Sequence, residues 1–387
     1  MKEIIDRDSW KPVLVKRGQL EEIIKSSKPT AIIDQYLEML DELFLIKNPR
    51  YCFDNNYKKH LTEFRQEHFG KGNSDDSGSW FYFPWHNQLV HYLPEAMHQE
   101  LRTGRNCNLI TKEEQGIFYN STIGILGLSV GSHAAITAAL TGGGKNLRLA
   151  DPDTISGSNT NRIRVGFQNI GLSKVRAVAR QIYEINPYSN ISIYPEGVTE
   201  QNIESIILGE PRVDVLIEEM DNPYYKFKAR EILKKYKIPL IAAADNGDGV
   251  IAHIERYDTD KNLKPFNGLM GNMTAEQVKK LGHGEMVSVV ARTVGADRSV
   301  LRMQKSVMEV GKTLYSWPQL GTAANLCGSV LAYLARKVIL KTNNIKSGVY
   351  DVSLDSILES DWHSKKNVTF RKKRTGEFLR KIGINGE

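Results

Sequence analysis

From about residue 101 onward, short apolar runs alternate with amphipathic stretches. The runs at residues 123–126, 147–150, 191–194, 213–217, 240–244 and 250–256 have the length and side chains of strands. Residues 132–140, 174–184, 200–207 and 225–236 carry apolar side chains at helical spacing. Such alternation predicts an α/β, Rossmann-like fold on a mainly parallel sheet with right-handed crossovers. Ligands then belong beyond the carboxyl ends of the strands. Further along, Ala323, Leu326, Cys327, Val330, Leu331, Leu334 and Val338 line one helix face, which predicts packing on the sheet.

The first hundred residues follow another pattern. Residues 20–24 and 32–40 have helical apolar spacing, and residues 70–79 read as a linker of Gly, Ser, Asn and Asp. Trp80-Phe81-Tyr82-Phe83-Pro84-Trp85 reads as an aromatic strand, either a peptide-docking surface or a face packed on the main domain. The chain is expected to hold a smaller N-terminal domain, 1–100, and a larger one, 101–387.

Composition narrows the class. With 387 residues, 41% hydrophobic and 25% charged, this is an ordinary globular chain. The start, Met1-Lys2-Glu3-Ile4-Ile5-Asp6, lacks an apolar signal core, and no run is long enough for a bilayer, so no membrane partner is expected. Cys52, Cys107 and Cys327 are scattered, which suits a reducing cytoplasm better than a disulfide framework. The net charge is +7, and residues 361–387 alone hold eight Lys/Arg against three Asp/Glu. No base-stacking array accompanies the run Arg371-Lys372-Lys373-Arg374. It is therefore expected to be a solvated tail, with no nucleic-acid partner.

Candidate chemistry concentrates between residues 123 and 187. Gly127-Leu128-Ser129-Val130-Gly131 lies between a strand and a small-residue helix, an arrangement that turns backbone N–H groups and a helix dipole toward phosphate. Asp151, at the end of the next strand, suits a ribose. Two rivals share the turn. It matches the G-x-S-x-G elbow of α/β-hydrolases, with His253, His283 or His363 available as the base. It also approximates a dinucleotide site, although Ser129 replaces the middle glycine. Neither rival accounts for Asn159, Arg162 and Lys174, which supply the polar and cationic groups a triphosphate needs.

The segment Asp151-Pro152-Asp153 to Ser158-Asn159-Thr160-Asn161-Arg162, then Gly171-Leu172-Ser173-Lys174 and Ile185-Asn186-Pro187, resembles the ThiF/MoeB/HesA family of ubiquitin-activating-type adenylating enzymes. Downstream, Val215-Leu216-Ile217-Glu218-Glu219-Met220-Asp221-Asn222 resembles the family's strand ending in Asp-Asn. Upstream, Arg102-Thr103-Gly104-Arg105-Asn106 resembles its Arg-x-x-Arg-Gln entry. The resemblance spans roughly residues 101–340. It implies an ATP site formed by Gly127, Ser129, Gly131, Asp151, Asp153, Asn159, Arg162 and Lys174. It implies that Asp151 binds the ribose, that Asn159, Arg162 and Lys174 hold the phosphates, and that Asp221 holds Mg²⁺. It also implies that Arg105 reaches the nucleotide of a neighbouring subunit in a homodimer. Three departures stand out. The family's paired Cys-x-x-Cys motifs are missing, so no zinc is expected. Ile163 stands where Gln is usual. Cys327 falls in the apolar stripe, where a thiol is expected to be inert core, so no enzyme thioester is expected.

The resemblance implies that a carboxylate attacks the α-phosphate of ATP and that a nucleophile then captures the acyl-adenylate. The N-terminal hundred residues resemble the clamp of the family's peptide-modifying branch, which implies a ribosomally made precursor peptide and dehydration or cyclisation at glutamates in antibiotic biosynthesis. The alternatives are activation of a ubiquitin-like or sulfur-carrier C-terminus, an esterase using Ser129, and a degenerate partner subunit.

Overall fold

The computed structural model describes residues 8–384 except 17, 71, 73, 75 and 343. The N-terminal segment Met1–Asp6 and part of the 70–79 linker lie outside these. The chain divides into two compact units. The first holds residues 1–116 with 140–142 and 179–189. The second holds 117–139, 143–178 and 190–387.

The first unit contains strands β1 (Val13–Val15), β2 (Ala31–Ile33), β3 (Ser79–Phe83) and β4 (Gln88–Tyr92), ordered β1-β3-β4-β2. Its helices are α1 (Leu20–Ser27), α2 (Tyr36–Lys47), α3 (Lys58–Phe69) and α4 (Glu95–Thr103), and α5 (Lys112–Asn120) begins in it. The stretch expected as one helix over 32–40 splits. Ile32 and Ile33 are β-branched and pair with Leu89 and Val90 of β4. The Asp34 carboxylate then accepts the Tyr36 N–H at 3.1 Å and starts a helix there. Tyr36, Leu40, Leu43 and Leu93 form its buried centre. The aromatic run is β3, and Trp80, Phe81, Phe83 and Trp85 are all buried, with Trp80 stacked on His91 at 4.2 Å. These rings are core of this unit and offer no open face to a peptide.

The second unit is built on strands β5 (Thr122–Leu126), β6 (Asn146–Ala150), β7 (Asn190–Tyr194), β8 (Val215–Glu218), β9 (Leu240–Asn246), β10 (Gly249–Glu255) and β11 (Gly348–Val352). Their order is β11-β10-β9-β8-β5-β6-β7. Strands β5 to β9 pair in parallel, while β10 runs antiparallel to both neighbours. The reversal comes from a tight hairpin at Gly247-Asp248, where Gly247 takes φ +67 at the first turn position. The helices are α6 (Gly131–Leu140), α7 (Lys174–Ile185), α8 (Ile203–Leu208), α9 (Pro223–Tyr236), α10 (Ala275–Val278), α11 (His283–Thr293), α12 (Leu301–Val307), α13 (Gly321–Ile339), α14 (Leu354–Leu358) and α15 (Lys365–Lys381). Leu140 at the end of α6 and residues 179–185 of α7 belong to the first unit.

Leu126, Ala150, Ile206, Leu216, Leu233 and Leu240 form one core cluster. The expected stripe on α13 is borne out: Ala323, Cys327, Leu331, Leu334 and Val338 are buried, and the helix packs on β8, β9 and β10. At Gly328 a Cβ would overlap that of His133, so glycine sets the approach of α13 to α6. The basic run is solvated, with Lys372, Lys373 and Arg374 exposed, but it is helical. It lies on α15, whose Phe378 is buried and whose Thr375 hydroxyl accepts from Gln304 at 2.9 Å.

Candidate nucleotide site

The site begins where β5 ends. The Gly127 N–H donates to the Ala150 carbonyl at 2.8 Å, which ties the turn to the end of β6. Gly127 has φ +91, and a Cβ there would overlap the Glu219 carbonyl oxygen. Only glycine meets both conditions. Gly131 then opens α6, where a Cβ would come within 3.0 Å of Ile125.

Asp151 follows β6 and is buried. One carboxylate oxygen accepts the Leu128 N–H at 2.6 Å and the other accepts the Asp153 N–H at 2.8 Å. Burial pushes its pKa up, while Lys174 and the two amides oppose that rise. The buried Lys174 ammonium lies 2.8 Å from Asp153 and 3.6 Å from Asp151. Backbone bonds clamp this corner, from Lys174 N to Asp153 O at 3.0 Å and from Ile155 N to Leu172 O at 2.8 Å.

A short 3-10 turn, Gly157–Asn161, carries the second half. Asn159 is buried, and its side chain accepts the Ser156 N–H at 3.0 Å, so it serves as a cap. The Asn159 carbonyl accepts the Arg162 N–H at 3.0 Å. The half-buried Arg162 guanidinium reaches Ser129 Oγ at 3.3 Å, Ser158 O at 3.2 Å and Asn161 Oδ1 at 2.9 Å. Burial lowers its pKa, and the charges of Asp245 and Asp221 support it. The glycine turn therefore joins both halves, since the Leu128 amide holds Asp151 and the Ser129 hydroxyl meets Arg162.

Asp221 lies just past β8, ahead of α9. Asn222 caps that helix by accepting from Tyr225 N at 3.4 Å. Among the described residues Asp221 is exposed and joins no hydrogen bond or ion pair. No group of three His, Cys, Asp or Glu side chains among them could cage a metal. An open carboxylate of this kind fits Mg²⁺, which keeps several waters and takes one or two carboxylates plus phosphate oxygens. Arg105 is exposed and lies in the first unit, at Gly104–Asn106.

The hydrolase arrangement has no base in place. Among the described residues no histidine ring bonds Ser129. His253 is buried with neither ring nitrogen partnered, and His363 shares a hydrogen with the Ser356 carbonyl. Sequence reading missed three acids or amides here. Glu219 accepts the Ala243 N–H at 2.7 Å, Asp245 lies at the end of β9, and Asn161 contacts Arg162. The signals were present, in an acid doublet before Asp221 and an Ala-Ala-Ala-Asp strand end.

Residues 103–373 match the ThiF family. The chain belongs to that family, the ubiquitin-activating-type adenylating enzymes its motifs resemble. Its curated relatives include the uncharacterized protein MT1398 of Mycobacterium tuberculosis, 32% identical over 286 residues, which is 74% of this chain and 39% of that protein. The tRNA threonylcarbamoyladenosine dehydratase of Escherichia coli is 29% identical over 148 residues, 38% of this chain and 54% of that enzyme. This chain thus spans roughly two fifths to half the length of these two relatives. Among solved structures, E. coli TcdA with AMP gives a TM-score of 0.47 at 18% identity, covering 64% of this chain and 97% of that one. PaaA gives 0.42 at 19% identity, covering 67% and 68%.

Proposed function

We propose that the second unit binds Mg-ATP and adenylates a carboxylate. The observation that carries this reading is the glycine turn, whose consecutive residues 128 and 129 hold Asp151 on one side and Arg162 on the other. Asp151, fixed by two amides, presents its remaining lone pairs to a ribose. Arg162 and Lys174 provide fixed cations for charge that spreads over the α-phosphate as pyrophosphate leaves. The amides of Ser129, Val130 and Gly131, where the turn opens into α6, face the phosphates. Asp221 holds Mg²⁺, which neutralises phosphate charge when bound.

The acid substrate in this reading is a ribosomally made precursor peptide. The first unit captures it, and a neighbouring nitrogen captures the activated acyl group with overall loss of water, as in the dehydration named for the E. coli relative. The protein is a homodimer in which Arg105 completes the site of the other subunit. A glutamate-containing synthetic peptide incubated with the protein and Mg-ATP tests this by mass spectrometry. Loss of water marks cyclisation, and gain of AMP marks a stable adenylate. An unchanged mass with no ATP–pyrophosphate exchange overturns the peptide reading.

A further inference from the structure

Beside Arg162 lies a carboxylate that the adenylation step does not use. Asp245, at the end of β9, accepts from the Cys327 thiol at 3.1 Å on one oxygen and from Gln319 Nε2 at 3.1 Å on the other. The Gln319 carbonyl accepts from Asn161 Nδ2 at 2.9 Å, and Asn161 in turn receives Arg162 at 2.9 Å. A hydrogen-bonded chain therefore runs from a buried thiol on α13 to the arginine of the phosphate site. Its elements are held in register, since a Cβ on Gly321 at the start of α13 would come within 2.7 Å of the Asn161 carbonyl oxygen.

The partners of Asp245 differ in kind from those of Glu218 and Asp151. Glu218 is locked as an anion by Lys226 and Arg230, each within 2.9 Å. Asp151 is held by two amides and Lys174. Among the described residues Asp245 is hydrogen-bonded by a thiol and a primary amide alone, both neutral and both weak at holding a full charge. The charged or titratable groups facing it are Arg162, Glu219 and Cys327. It is only partly buried, and with one hydrogen bond on each carboxylate oxygen a lone pair is left on both.

We propose that Asp245 is the general base of the capture step, oriented by Cys327 and Gln319, which act as positioning residues. This rests on the adenylation reading above. In that step the acceptor's N–H or O–H gives its proton to the Asp245 carboxylate. The acceptor's electron pair forms the bond to the acyl carbon, and the acyl C–O bond breaks with its electrons leaving on AMP. The proton then passes to solvent. Burial lifts the Asp245 carboxyl above its ordinary range, while the thiol, the amide and Arg162 pull it back, which suits a group that takes up and returns a proton.

The test uses the full chain, Mg-ATP and a synthetic glutamate-containing peptide, with Asp245→Asn, Cys327→Ala and wild type. ATP–pyrophosphate exchange reads the first step, and mass loss of water reads the second. Asp245→Asn is expected to keep exchange within about threefold, to accumulate the +AMP species, and to slow water loss about 10²–10³-fold. Hydroxylamine, a strong nucleophile needing no base, should trap the adenylate equally in both proteins. The wild-type capture rate should rise with pH through one titration, which Asp245→Asn removes. Cys327→Ala, by deleting a donor to the ionised form, should move that midpoint upward. Equal loss of exchange and capture in Asp245→Asn, with circular dichroism unchanged, makes Asp245 part of the ATP site and overturns the proposal. Undiminished capture overturns it too. Absence of exchange in wild type overturns the peptide reading above, and the base proposal that rests on it.

Discussion

The Lys174 ammonium sits 2.8 Å from the Asp153 carboxylate, so the cation that the proposed function assigns to phosphate already has an anionic partner. ATP must compete with that pair. Asp153 is well exposed at 64%, and solvent screening limits such a contact to about 1 kcal/mol or less. Asp153→Asn is therefore expected to tighten ATP binding by up to roughly fivefold, measured by calorimetry. Lys174→Ala removes the phosphate cation itself and should cut ATP turnover by about 10²–10³-fold with circular dichroism unchanged. Near-normal turnover in Lys174→Ala would show that the lysine serves only to hold Asp151.

Asp221 is exposed and has no protein partner among the described residues, so its removal should not disturb packing. Asp221→Ala is expected to keep wild-type thermal stability while losing about 10²–10³-fold in ATP turnover. A Mg²⁺ titration of turnover should shift to higher concentration in Asp221→Asn. Identical Mg²⁺ curves for the two proteins would remove Asp221 from the metal site.

Gly127 carries both a left-handed φ and a wall, the Glu219 carbonyl. Gly127→Ala should cost about 2–4 kcal/mol, from backbone strain plus overpacking. Urea unfolding followed by tryptophan fluorescence would read this as a lower midpoint. Gly171, also left-handed at φ +84 but with open space around it, should lose less when changed to Ala, about 1 kcal/mol.

The central strands and the phosphate turn were legible because each carries its own local signal. The strand at 123–126 is apolar throughout, and the turn after it has no alternative to glycine. Other elements depended on contacts that a local window does not contain. Ile32 and Ile33 fit a helical stripe and became a strand only by pairing with β4. The strand at 250–256 was visible, but its antiparallel direction is fixed by the Gly247 turn. On α15 the many cations hid a narrow buried stripe around Phe378. Within the site, Asn159, Arg162 and Lys174 were marked by motif order. Asp245 and Cys327 lie 82 residues apart and meet only because α13 packs on β9.

The Glu218 carboxylate is fully enclosed and held down to about 2 by Lys226 and Arg230, against the burial that would raise it. A depressed folded-state pKa contributes stability above the unfolded value, near 4.5, and that contribution is lost as pH falls toward 2. A shift of this size corresponds to on the order of 3 kcal/mol. Unfolding free energy should therefore fall between about pH 5 and pH 2. Glu218→Gln should be less stable at pH 7 and should flatten that part of the profile. Parallel slopes in the two proteins would assign the acid sensitivity to other carboxylates.

Arg105 gives the prediction that bears on assembly. It is exposed, and it belongs to a different compact unit from Lys174. If it serves the nucleotide of a neighbouring subunit, a two-fold dimer carries two shared sites, each built from both chains. Arg105→Ala and Lys174→Ala should each be inactive alone. In a mixed dimer one site has lost both residues, while the other keeps an intact Arg105 and an intact Lys174. Mixing the two inactive proteins should then restore activity, approaching a quarter of the wild-type rate per site at random exchange. Subunit exchange is checked independently by energy transfer between differently labelled chains. Exchange without any return of activity would place the function of Arg105 within its own chain.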